Sequence, residues 1–267
     1  MSQDLNDLLE GWPHEPGQIK VRKIQGSDGR EKVQLRLDLG LIQMEVTGRP
    51  DGQRPKGHES LLAYHQHKAR NAAKEGEEYK LSADECGELQ QEGIQYYHRY
   101  LSLFQLEDFP VVVRDTQRNL DLFEFVRKHT EREDITWAFD QFVPYVRMMN
   151  TRAKASIELE GKNLEAALKE IDRGREKIVD FYNEHEQAES ADKSAELSFL
   201  DEWREELQAK RPMSKLDKLR QEMDAAIQAE AYEKAAQLRD AIRVLDAKQQ
   251  DKLSRARGAA AADTSDE

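Results

Sequence analysis

Residues 212–247, PMSKLDKLRQEMDAAIQAEAYEKAAQLRDAIRVLDA, constrain the fold more than any other stretch, because their apolar residues form two short stripes with a polar break between them. Leu216, Leu219, Met223 and Ile227 recur at helical intervals, while Lys218, Arg220, Glu222 and Asp224 lie off that face. Ala235, Leu238, Ile242 and Leu245 form the second stripe. Two stripes of similar length bury each other only if the chain reverses between them, so a helical hairpin is predicted with its bend at residues 228–231. Pro212 and Ser214 open the first helix, and Ser214 with Asp217 has the spacing of a capping box, the shorter Asp replacing Glu. Ala226, Ala235 and Ala236 let the two backbones approach closely. Gln228, Ala229, Glu230 and Ala231 include no Gly, Asn or Asp to take up a left-handed conformation, which predicts an overwound helical connection.

The order Leu219, Met223, Ala226, then Tyr232-Glu233-Lys234-Ala235-Ala236, then Leu238-Arg239-Asp240, Ile242 and Leu245 resembles the UVR motif. That motif is the helical hairpin shared by the excinuclease subunits UvrB and UvrC, and it is found also in adaptors of the Clp protease system. The resemblance covers about 35 of the 267 residues. It implies a protein-docking device in a bacterial cytoplasm, through DNA repair or through protease delivery. Its partner would be the UvrA/UvrB/UvrC machinery, a Clp-type ATPase or a second copy of the chain. The partner-binding residues it implies are Leu219, Met223, Tyr232, Glu233, Ala236, Leu238, Arg239, Asp240, Ile242 and Leu245. It implies association and no chemistry, hence no catalytic residue, cofactor or metal.

Composition narrows the rest. A hydrophobic fraction of 38% against 35% charged, with a mean hydropathy of −0.89, suits surface-rich helices or helical repeats better than a compact enzyme core. The net charge of −12 argues against general attraction to nucleic acid, which needs an excess of Lys and Arg to release counterions. One cysteine, Cys86, excludes a disulfide framework within the chain and fits a reducing cytoplasm. The N-terminus is acidic, with no basic segment before an apolar one, and no run of about 18 apolar residues occurs. The chain thus reads as soluble and intracellular.

Five segments follow along the chain. Residues 1–17 form a flexible polar N-terminus in which Trp12 packs back on the next element. In 18–57 the period changes: Ile19 and Val21, then Val33, Leu35, Leu37 and Leu39, then Ile42, Met44 and Val46 alternate with polar neighbours. Asp28-Gly29 marks one tight turn and Gly40 a second reversal, giving a three-stranded antiparallel meander too small to stand alone. Residues 48–57 are a Pro/Gly loop without phosphate-loop spacing, read as a solvated linker that positions the meander, with an anion or acidic-peptide contact through Arg49, Arg54 and Lys56 as the alternative.

Residues 58–211 read as stacked helical hairpins. Ser82 to Glu85 is a capping box opening a helix marked by Leu89, Ile94, Tyr97, Leu101 and Phe104. Val111 to Val113 continue as helix because Pro110 suits a first turn. Pro144 breaks or kinks the next helix. The stretch from Leu159 to Ile171 is similar to a tetratricopeptide-repeat turn. Three bends repeat one plan, with Asp108-Phe109 and Val113, Asn163-Leu164 and Leu168, and Ala231-Tyr232 and Ala236 each placing one apolar residue after the bend and another side chain four later. Their spacings of 55 and 68 residues exclude a regular array. A helix with Leu197, Leu200, Trp203 and Leu207 precedes the hairpin of 212–250 and offers it a face, and 251–267 form a disordered tail.

The chain has no Gly-x-Ser-x-Gly elbow, no His-Glu-x-x-His and no Rossmann glycine set. His65 and His67, two apart on a helix, point to different faces, and His98, His129 and His185 have no carboxylate at ligand spacing. The reading is therefore a non-enzymatic interaction protein, mainly α, with an exposed apolar patch near Tyr232, Leu238 and Ile242. The alternative is a DNA-damage accessory touching nucleic acid directly, and a third reading assembles an enzyme site from distant residues. Within 212–247, Lys215, Lys218, Arg220, Lys234, Arg239 and Arg243 face Asp217, Glu222, Asp224, Glu230, Glu233, Asp240 and Asp246. That near balance fits a protein partner better than a phosphate backbone.

Overall fold

The structure is a computed structural model that describes residues 4–210 and 215–245. The chain divides into two units, Met1–Gln208 and Ala209–Glu267. The first begins with a short helical turn, α1 (Asn6–Leu9), and a meander of β1 (Val21–Gln25), β2 (Glu31–Leu37) and β3 (Gly40–Glu45). The strands pair antiparallel in the order β1-β2-β3, with Val21 opposite Leu35 and Val33 opposite Met44. Alternation works as predicted at its centre, where Val33, Leu35 and Met44 are buried. It fails at the second reversal. Asp38 and Leu39 form that turn, Leu39 is 92% exposed, and Gly40 starts β3 paired with Leu37. Counting alternate apolar residues had carried the strand one residue pair into its own turn. Trp12 does lie on the sheet, with the Arg22 guanidinium 4.0 Å from its ring centroid and its carbonyl accepting from Arg36.

Helices follow: α2 (Leu61–Glu75), α3 (Ala83–Gln105), α4 (Phe109–His129), α5 (Glu133–Asp140), α6 (Val143–Glu160), α7 (Leu164–Glu184), the short α8 (Ala188–Ala191) and α9 (Ala195–Ala209). The start of α3 is the predicted capping box: Ser82 Oγ accepts the Glu85 N–H at 3.2 Å and Glu85 accepts the Ser82 N–H at 2.9 Å. Pro110 lies in the first turn of α4, and Pro144 in the first turn of α6 after a break at residues 141–142. α4 packs on α3 and on α6, and α6 packs on α7. One core joins the sheet to α3, α4, α6, α7 and α9, and a second gathers α2 and α5 against α3, α4 and α6. Leu200 and Leu207 are buried in the first of these, with Trp203 packed against it.

The buried face of α3 takes in only part of what its apolar residues mark: Leu89 is buried, and Tyr97, Leu101 and Phe104 pack half-buried against the core. Ile94 is exposed, and the inward row is Leu89, Glu92, Tyr96, Arg99, Tyr100 and Leu103. Arg99 and Asp115, both fully buried, form a two-pronged pair at 2.6 and 2.9 Å. Arg99 also donates to the carbonyls of Glu45 and Gly48, and Arg114 donates to that of Val46, so two helices hold the chain leaving β3. Glu92 accepts the N–H groups of Leu61 and Leu62 at the start of α2 and pairs with Arg118. Tyr96 sits under both the Arg99 and Arg118 guanidinium groups.

Candidate functional site

Within the second unit, α10 (Lys215–Gln228) and α11, residues 232–245, form the helical hairpin. The bend is not an overwound connection. Glu230 takes the left-handed conformation, φ +57°, its N–H donates to the Ile227 carbonyl at 3.0 Å, and the Ala231 N–H donates to the Ala226 carbonyl at 2.8 Å. These two bonds are those of a Schellman cap; they satisfy carbonyls that a helix end leaves open, and so offset the roughly 1–2 kcal/mol that a left-handed non-glycine residue costs. Glutamate does here what glycine usually does.

The same two bonds recur elsewhere. Glu107 (φ +59°) donates to Phe104 and Asp108 to Leu103; Lys162 (φ +57°) donates to Leu159 and Asn163 to Glu158; Glu186 (φ +55°) donates to Asn183 and Gln187 to Tyr182. The three bends that share a sequence plan therefore share a backbone.

Inside the hairpin, Ala226, Ala235 and Leu238 are buried, with Leu219 and Met223 packed against them. Two of the three buried residues are alanines, which lets the helices close on each other near the bend. Ile227, expected on the inner stripe, is 48% exposed because Ala226 occupies the inward position instead. Leu238, expected in an exposed patch, is interior. Ala236, Ile242 and Leu245 are half-buried, while Glu233, Arg239 and Asp240 are exposed. Arg239 and Asp240 touch each other at 3.3 Å in the open, a contact of little energetic weight. Tyr232 is 67% exposed, and Val244 joins Tyr232 and Ile227 as the large apolar side chains the hairpin leaves uncovered. The capping box at Ser214 and Asp217 and the first stripe residue Leu216 involve positions outside the described residues or side chains.

This hairpin is where the chain meets a known family. Residues 214–248 match the UVR family, the UvrB/uvrC motif. The match begins just before α10 and covers α11, so it concerns the hairpin and does not extend to the helical unit. No curated protein and no solved structure matches the chain. The UVR motif is associated with UvrB/UvrC excision repair and with protein interaction, and in this chain it is a two-helix element with an alanine-lined interior.

Elsewhere, histidines serve structure. His65 is buried with its Nδ1 2.6 Å from the Tyr79 hydroxyl, and burial lowers its pKa from 6.5 while raising that of Tyr79 to about 12. His67 meets Asn71, and His129 meets the Tyr79 carbonyl. His185 does have a carboxylate, Asp140 at 3.4 Å, which also holds Arg127. Among the described residues, no group of three His, Cys, Asp or Glu is placed to hold a metal ion, and no helix is long and apolar enough to cross a membrane. Of the loop cations, Arg49 turns inward to Glu92 at 3.4 Å, leaving only Arg54 and Lys56 exposed. Desolvation pushes the Cys86 thiol up, which makes it a packing residue.

Proposed function

We propose that the chain is a non-enzymatic docking protein of the bacterial cytoplasm whose UVR hairpin binds a partner protein through the side chains at its bend. The observation that carries the reading is Tyr232. At the two other bends that share both the sequence plan and the backbone, the equivalent residue is buried (Phe109) or half-buried (Leu164), whereas Tyr232 stands 67% exposed, as Ile227 stands 48% exposed. Tyrosine is among the side chains that supply most binding energy at protein interfaces, since it gives large area for little lost entropy. A hairpin with three buried side chains has little interior of its own, so a partner that covers its outer apolar groups also stabilises it.

The partners supported by the UVR match are the UvrA/UvrB/UvrC proteins, with a Clp-type ATPase second and a further copy of the chain third. Calorimetric titration of the purified chain against each, and sedimentation of the chain alone, tests the reading. Tyr232→Ala is expected to weaken association about tenfold or more, near 1.4 kcal/mol, with helicity unchanged. Equal affinity of wild type and variant for every partner sinks it, and steeply salt-dependent DNA binding would favour direct nucleic acid contact instead.

A further inference from the structure

A cavity of about 490 Å³ lies among α4, α6 and α7, inside the helical unit. Five cations line it, Arg127 from α4, Arg147 and Lys154 from α6, and Arg173 and Lys177 from α7. Asp121, Glu124 and Glu170 are the acids in the same lining. Asp140, which pairs with Arg127 from outside the lining, brings the acids to four and leaves an excess of one positive charge, in a chain whose net charge is −12. Helical spacing explains the convergence: Arg147 and Lys154 stand two turns apart on α6, and Arg173 and Lys177 one turn apart on α7. Between them Gly174 meets Thr151, where an added Cβ would lie 2.0 Å from the Thr151 hydroxyl oxygen, so the two helices touch there.

Not all of this charge is used by the protein. Arg127 is taken by Asp140 at 2.7 Å and Arg173 by Glu170 at 2.7 Å. Among the described residues, Arg147, Lys154 and Lys177 form no ion pair, and Arg147 Nε is shut from solvent with no hydrogen-bond acceptor. Burial lowers the pKa of Arg147, and the neighbouring Arg127 adds to this, against the pull of Glu184, Asp180 and Glu124. Arg49, Arg118 and Arg175 leave the same nitrogen unmatched, so the three unpaired charges, and not this donor, mark the cavity.

We propose that this cavity is a binding site for a compact oxyanion, carboxylate or phosphate, with Arg147 as its inner contact and Lys154 and Lys177 as its neutralising rim. Guanidinium recognises both anions through paired N–H donors. The three acids in the lining oppose a long polyanion, so the ligand is a small anion or the acidic end of a peptide. The site is independent of the UVR hairpin and of the reading given to it.

Calorimetric titration of the full chain at low salt separates the sources, using inorganic pyrophosphate in one arm and a tetraglutamate peptide in the other, with sodium chloride matched for ionic strength. Saturable binding of either is expected, weakened about tenfold in Lys154→Gln and in Lys177→Gln. Lys80→Gln, a change at an ion pair with Glu131 away from the cavity, is expected to bind as wild type. The two rim lysines carry the test because Arg147→Gln alters a packed position, and circular dichroism verifies that each variant folds. Failure of both probes to saturate by about 10 mM, or equal affinity in wild type and both rim variants, overturns the proposal.

Discussion

Two helical hairpins of this chain turn on the same backbone and differ in almost everything beyond it. The α6–α7 pair bends at Lys162 and the α10–α11 pair at Glu230, each with a left-handed non-glycine residue and the same two capping bonds. After the first bend, Ala167, Leu168, Ile171, Gly174 and Ile178 are all buried. After the second, only Ala235 and Leu238 are. The bend is therefore a local property of helix ends, whereas burial is decided by what the rest of the chain supplies. A helix of 14 residues such as α10 is near the length below which isolated helices are marginal in water. The first hairpin is held by its surroundings, and the second has a small interior of its own.

That contrast can be broken or sharpened by experiment. The largest expected effect is Asp115→Ala, which strands the buried Arg99 charge and should remove about 3–5 kcal/mol from the helical unit in urea unfolding, with no loss of partner binding by the UVR hairpin. Leu238→Ala comes next. By cavity formation it should cost the hairpin about 2–5 kcal/mol, more than so small an element holds, so amide exchange over 215–245 should rise to that of an unfolded chain while the helical unit stays protected.

Acid should separate the regions again. The folded pKa values of His65 and His98 are lowered by burial, with Tyr79, Lys68 and the acids Glu85, Glu88 and Glu92 acting on His65. The unfolded chain then binds more protons below the ordinary histidine value of 6.5, so the helical unit is most stable above that pH and weakens as pH falls through 6.5 toward the lowered folded values. No histidine lies within 212–247, and hairpin helicity should be flat across the same titration. The smallest effect is at the bends, where Lys162→Gly and Glu230→Gly should each stabilise by about 0.5–1 kcal/mol. Unequal gains by denaturant unfolding would mean that the two bends are less alike than their hydrogen bonds.

What could be read in advance were features carried by a few neighbouring residues. Ser82 and Glu85 announce a helix start because both partners of the cap lie within one turn, while through the ring alone Pro110 announces a start and Pro144 a break. The strand centres were legible from Val33, Leu35 and Met44. Features decided by distant residues were not. Glu92 and Arg99 occupy core positions of α3 that an apolar count skips, since their partners come from α2, α4 and the loop after β3. Arg49 looks like a solvated cation until Glu92 is placed beside it. In the hairpin, the resemblance marked both helices and the alanines marked the close approach at Ala226, but helical spacing also assigned Ile227 inward, where the smaller side chain sits instead. The left-handed residue at Glu230 has a signal that recurs, since Glu107, Lys162 and Glu186 hold the same place. It was hidden because a charged residue is not the expected occupant.

The grip of Arg99 and Arg114 on the carbonyls of Glu45, Val46 and Gly48 has a consequence for anyone trimming the chain. Starting it at α2 would look harmless, since only a small sheet and a loop are lost. It would in fact empty the acceptors from one whole edge of a guanidinium sealed beneath the surface and bare Tyr100 and Leu103 to water. The first fifty residues behave as a lid on a charged interior.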